Sequence, residues 1–198
     1  MAGYRTPRIF PIALVLILMA IAIIGLVYAA QMLFFSGGNT KPKSDTSQAA
    51  LLNTSVSHSV LMTVRGQIVA DENFRTYQIK IAPNARTFTT YKGYLNEKLE
   101  NVSLYNNVPA YEQFVYALDR AKFMDSNEFT GDNNDTRGIC ATGFLYEFSI
   151  MDSNKTIKKL WTTTCAGERG SFRVAVAPIT NLFVVQIPNV QEKINALW

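Results

Sequence analysis

Phe74-Arg75-Thr76-Tyr77-Gln78-Ile79-Lys80-Ile81 alternates strictly, with Tyr77, Ile79 and Ile81 on one side and Thr76, Gln78 and Lys80 on the other. That period of two is the mark of a strand with one buried face. Upstream, the segment from Val60 to Val69 has the β-branched density of another strand. Downstream, Pro83-Asn84-Ala85 turns the chain and Arg86 to Tyr94 returns, carrying Phe88 and Tyr91. The three strands predict a meander.

Asn106-Asn107-Val108-Pro109 follows, an Asn cap with a proline in the first turn. Tyr111, Phe114, Val115 and Leu118 then recur at the spacing of a helix with one buried face. A polar loop from Asp125 to Arg137 ends this helix. Phe144, Tyr146, Phe148 and Ile150 alternate with Leu145, Glu147, Ser149 and Met151, and Thr156 to Thr164 reads as the return strand. Pro178 opens a second helix, with Ile179, Leu182 and Phe183 on one face, before Pro188 stops it. The order β-β-β-α-β-β-α predicts an α+β domain with a five-stranded, mainly antiparallel sheet and two helices.

A four-residue loop at 151–154 pairs Ile150 with Lys155, and that register carries Cys140 opposite Cys165 at the open end of the hairpin. Opposed residues of an antiparallel pair lie at a separation that a disulfide accepts. The two cysteines are therefore expected to be bonded, the alternative being two free thiols. No third or fourth ligand stands near them to make a metal site.

Ahead of the domain, Ile9 to Ala30 is an uninterrupted run without charge, IFPIALVLILMAIAIIGLVYAA, and apolar character continues to Phe35. As a helix the run would reach about 33 Å, enough for a hydrocarbon core of about 30 Å. A signal peptide is the alternative, since Val27-Tyr28-Ala29 resembles a small-residue cleavage site, but its apolar region is usually shorter. Arg5 and Arg8 precede the run, whereas Lys41 and Lys43 follow it at a greater distance, which orients the N-terminus to the cytoplasm. The expected organisation is a cytoplasmic stub at 1–8, a transmembrane helix at 9–35 in the lipid bilayer, a flexible Ser-, Gly- and Pro-containing tether at 36–59, and an extracytoplasmic domain at 60–198.

Charge argues against nucleic acid as a partner. The chain has 19 Lys and Arg against 15 Asp and Glu, a net charge of +4 and a pI near 9.1. Two of the excess cations are Arg5 and Arg8, and the remainder are scattered rather than gathered in a patch.

Catalytic and metal constellations are not expected. The single histidine, His58, falls in the tether beside Ser57 and Ser59, which leaves a Ser-His-Asp or Cys-His site without a placed base. Asp71-Glu72 reads as a solvated turn, and Gly37-Gly38 and Gly167 to Gly170 are too short for a phosphate loop. No enzyme activity, cofactor or metal is expected. Arg75, Tyr91, Tyr94 and Trp161 form a possible binding surface for an unknown protein or glycan, the alternative being that the rings pack the sheet. Arg65 and Arg169 are further single cations. Asn-x-Ser/Thr sequons occur at Asn53, Asn101, Asn134 and Asn154.

Several motifs together resemble a known group: Gly66-x-Ile68-Val69-Ala70-x-Glu72-Asn73-x-Arg75-x-Tyr77, Ala110-Tyr111-x-x-Phe114-x-x-Ala117-Leu118, Gly138-x-Cys140-Ala141-x-Gly143, Leu160-Trp161-x-Thr163-x-Cys165 and Leu182-Phe183-x-x-Gln186-Ile187-Pro188. Over about residues 63–190 the chain resembles uncharacterised single-span, membrane-anchored envelope proteins of small-genome candidate-phyla bacteria of the Saccharibacteria type. The resemblance implies a bacterial envelope protein with its disulfide intact, and it carries over no catalytic residue. Two classes follow: a binding or structural module of the cell envelope, or a subunit of a membrane secretion or pilus-assembly complex. Ala13, Ala20, Ala22 and Gly25 form no clear small-residue face in the apolar run, which favours the module.

Overall fold

A computed structural model describes residues 14–15, 17–27 and 48–198 of the protein. The chain divides into two units, Met1–Lys43 and Ser44–Trp198. In the first, residues 14–15 and 17–27 are helical (α1). Among the described residues no helix is long and apolar enough to cross a membrane. The rest of the expected span at 9–35, the stub at 1–8 and the tether up to residue 47 lie outside the described residues.

The second unit holds six strands, β1 His58–Arg65, β2 Arg75–Ile81, β3 Ala85–Lys92, β4 Glu97–Tyr105, β5 Leu145–Asp152 and β6 Lys155–Thr163. Its helices are α2 Gln48–Leu51, α3 Val108–Arg120, α4 Val176–Val184 and α5 Val190–Asn195. The strands form one antiparallel sheet in the order β4-β3-β2-β1-β5-β6. The α+β class holds. The sheet, however, has six strands rather than five, and more than two helices accompany it.

The additional strand is β4. Its inner face, Glu100, Val102 and Leu104, is only half-buried and its outer face is exposed, so burial marks the alternation of its sequence weakly. Leu99 is also an extra residue opposite the Thr90/Tyr91 step, where the register shifts, and this bulge breaks the period of two.

One sheet face carries the core. Val60, Met62 and Val64 of β1 stand beside Ile81, Ile79 and Tyr77 of β2 and beside Ile150, Phe148 and Tyr146 of β5. Against this face α3 lays Tyr111, Phe114, Val115 and Leu118, the four residues expected from its spacing. Its start is as read: the Asn107 side chain accepts a hydrogen bond from the Ala110 N–H at 2.9 Å, and Pro109 occupies the first turn. Phe114 meets Phe183 of α4 edge to face at 5.1 Å, and Phe148 lies 4.7 Å from Phe172.

The domain begins earlier than residue 60. Ala50 and Leu51 of α2 are buried, Leu51 completely, so residues from 48 belong to the core rather than to a free tether. A short helix with two apolar residues offers too little periodicity to be read, and only the shelter of the core holds it in place. The first strand also ends sooner than expected, at Arg65. Beyond it, Gly66 is still bonded to Arg75 O, while Ile68 N–H turns to Ala141 O at 2.9 Å.

The hairpin β5–β6 corrects the expected register. Its turn is Ser153-Asn154, with Ser153 at φ 54°, and Asp152 pairs with Lys155. Past a bulge, Ile150 pairs with Lys158 and Leu145 with Thr163. The pairing of Ile150 with Lys155 is therefore wrong by three residues. The disulfide it suggested is nevertheless present: Cys140 and Cys165 are bonded, with Cα atoms 5.3 Å apart. Cys140 lies not on a strand but in the loop before β5, at φ 60°.

The outer edge of β6 is covered by residues 170–172. Phe172 N–H donates to Trp161 O at 2.9 Å, and Trp161 N–H donates to Ser171 Oγ at 3.0 Å. Gly170 makes this approach possible, because a methyl there would lie 1.9 Å from the Trp161 carbonyl oxygen. Gly170→Ala should therefore lift the strap from the edge and destabilise the protein by about 1 to 3 kcal/mol. A denaturant midpoint equal to that of the parent protein would refute this.

Candidate functional site

The ends of β1 and β5, the segment after β1, the β3–β4 turn and the loop before β5 enclose a groove of about 330 Å3. Ile68, Phe74, Ile139 and Leu145 supply apolar lining, and Arg65, Asn96, Thr136 and Arg137 supply polar lining. Each element is placed by local chemistry. Asp71 accepts the Tyr94 N–H through Oδ1 at 2.7 Å and so fastens the β3–β4 turn to the chain after β1. The Tyr94 ring stacks on Phe74 with centroids 4.2 Å apart, and its hydroxyl donates to Val69 O at 2.7 Å. The Asp71-Glu72 pair is thus a turn element, with Asp71 in a structural role.

Beside the groove lies an ion cluster that the sequence did not disclose. Glu147 of β5 is 5% exposed, faces away from the apolar core, and is held from three sides. Arg65 Nη2 lies 2.9 Å from Oε2, while Lys159 Nζ lies 3.5 Å from Oε1 and the Thr136 hydroxyl donates to Oε1 at 2.8 Å. Two cations against one carboxylate leave a net positive charge, and Arg65 keeps 38% of its side chain exposed on the groove side. Nearby, Arg137 pairs with Asp135 through its Nε at 2.8 Å, and this hydrogen bonding pushes the Asp135 carboxyl down to about 2. The alternation of Phe144 to Met151 placed Glu147 on the non-core side, but its partners come from β1, β6 and a loop. Only the sheet order assembles them.

The four residues expected to share a binding surface are dispersed. Tyr94 lines the groove just described. Arg75 lines a second groove of about 290 Å3 with Phe144 and Trp198, and its Nη1 donates to Glu72 O at 2.7 Å. Tyr91 donates its hydroxyl to Gln78 at 3.1 Å on the polar sheet face. Trp161 is 4% exposed and packs edge to face on Phe129, so it is no part of a surface. Its indole is covered by Phe129, with residue 170 against its edge, an event invisible in a strand pattern.

His58 is also displaced from its expected setting. It opens β1 and is 9% exposed. Ser55 Oγ lies 2.7 Å from its Nδ1, and Asp152 Oδ1 lies 3.9 Å from the same nitrogen. Serine and carboxylate thus converge on one ring atom, whereas a hydrolytic relay places them on opposite nitrogens. The Ser55 carbonyl also accepts the His58 N–H at 2.9 Å, so the cluster closes a turn. Among the described residues no group of three or more His, Cys, Asp or Glu side chains is placed to hold a metal ion.

No known protein family matches this sequence, and no curated protein matches it either.

Proposed function

We propose that this protein is a non-catalytic binding or structural module of the cell envelope, anchored by its N-terminal apolar segment with its α+β domain outside the cytoplasm. The observation that carries this reading is the apolar helix. Within α1, Ile17, Leu18, Ile21, Ile24 and Leu26 each leave more than half of their surface uncovered. A helix apolar on every side needs an apolar surrounding, and a bilayer supplies one. The Cys140–Cys165 disulfide supports an oxidising compartment. The groove at the ends of β1 and β5, part apolar and flanked by the Arg65–Glu147–Lys159 cluster with its net positive charge, supports recognition of an amphipathic group bearing hydrogen-bond acceptors.

Arg5 and Arg8 ahead of the apolar run support a cytoplasmic N-terminus. Protease added to spheroplasts should remove the region after residue 36, and protection of that region would reverse the topology.

A second reading, a subunit of a membrane secretion or pilus-assembly complex, is favoured by β4. Among the described residues no strand lies beyond this nine-residue edge, on which Leu99 is 49% and Tyr105 79% exposed. An unpaired edge can accept a partner's strand. Affinity capture of the chain in mild detergent separates the readings: a complex subunit brings down stoichiometric membrane partners, and a free module does not.

A further inference from the structure

A separate cavity of about 670 Å3 lies on the helix side of the sheet, where the end of α3, the turn after it, α2 and β6 meet. Lys158 of β6 lines it. This residue pairs with Ile150 in the row of core-facing positions that also holds Leu160 and Phe148, a place where an apolar side chain would be ordinary. It is 6% exposed, and among the described residues it makes no hydrogen bond and no ion pair within 4 Å. The stem of this side chain is buried and its ammonium reaches the cavity, where no counter-charge touches it, an arrangement that costs free energy. Burial accordingly lowers the amine below the usual lysine range, with the Glu128 carboxylate opposing the shift.

Glu128 is otherwise engaged, since its Oε1 accepts the Lys159 N–H and the Asn134 side-chain N–H, each at 3.0 Å. No carboxylate among the described residues lies within ion-pair distance of Lys158, which leaves room for an anionic group from outside the chain. The other charged residues of the cavity are Asp119, Asp125, Glu128 and Lys122. With Lys158 these make three carboxylates against two ammonium groups, a net of one negative charge. A simple anion is repelled by that wall, and a simple cation leaves Lys158 unmatched. The cavity also lies within the size range of small-molecule sites.

We propose that this cavity binds a small basic zwitterion of the amino-acid class, its carboxylate on Lys158 and its cationic groups beside Asp119 and Asp125. Asp119 is positioned for this by Gln48, whose side-chain N–H donates to Oδ1 at 2.6 Å. Asp125 makes no side-chain hydrogen bond among the described residues, so its carboxylate is available.

Titration calorimetry of the full chain in detergent, with L-lysine, acetate and methylammonium as probes, tests the assignment. L-Lysine should bind saturably, and each half-probe at least ten-fold more weakly. Lys158→Met should lower L-lysine affinity at least ten-fold without lowering the unfolding temperature, because the unmatched amine is lost with it. Asp125→Asn, which leaves the core untouched, should weaken L-lysine and not acetate. Acetate or methylammonium equal to L-lysine, no saturable binding of L-lysine, or unchanged L-lysine affinity in both variants would overturn the proposal.

Discussion

Phe148→Ala should lower the stability of the protein by about 3 to 5 kcal/mol, the range for removing a fully buried aromatic ring from a packed core. Phe148 is 1% exposed, at the middle of β5, with Met62 and Leu160 beside it on the neighbouring strands. Its ring lies 5.8 Å from Phe123, 4.7 Å from Phe172 and 6.1 Å from Phe183. These contacts come from the turn after α3, the strap over β6 and α4, so one ring joins three separate segments to the sheet. Rigid strands on either side limit collapse into the space left behind. Equilibrium denaturation should show a lower midpoint with an unchanged slope, and a loss below about 1 kcal/mol would contradict this account of the core. Phe148→Leu, which refills much of the volume, should recover a large part of the loss.

The second large effect is expected at the disulfide. Replacing Cys140 and Cys165 by Ser should destabilise the protein by about 3 to 4 kcal/mol in the chain-entropy model, given a separation of 25 residues. Residual structure in the unfolded hairpin would reduce the loss, because the chain would already be restricted there. The bond ties the loop before β5, which contributes Arg137 and Ile139 to the groove, to the end of β6. Gly143 is part of the same joint, since a methyl there would lie 2.3 Å from Thr164 Oγ1 and 2.9 Å from Cys140 Sγ. Mass spectrometry of protein alkylated without reductant should find neither thiol labelled, and two labelled thiols would end the argument. An unchanged unfolding temperature in the double Ser variant would show that the loop is held by other contacts.

Some of this architecture was legible residue by residue. The alternation of Phe74 to Ile81 and of Phe144 to Ile150 identified β2 and β5, and Asn107, Pro109 and the buried set from Tyr111 to Leu118 identified α3 with its correct face. Those signals are local, because periodicity and caps are properties of neighbouring residues. The cysteine pairing was reached through a register that does not exist, since a bulge and a two-residue turn move β6 by three positions.

What only the tertiary structure decided depends on residues distant in sequence. β4 has only a weak periodic signature because it lies at an edge, half-buried on one face and open on the other, with a bulge at Leu99. α2 is ordered because Leu51 finds the core, and Trp161 leaves the surface because Phe129 and residue 170 lie against its indole. Glu147 and Lys158 look like the polar residues of solvated strands, yet one is enclosed by two cations from other strands and the other passes through a core row to reach a cavity with no counter-charge in contact. Strand alternation determined the faces these side chains take, and the order in which the strands assemble determined what each face meets.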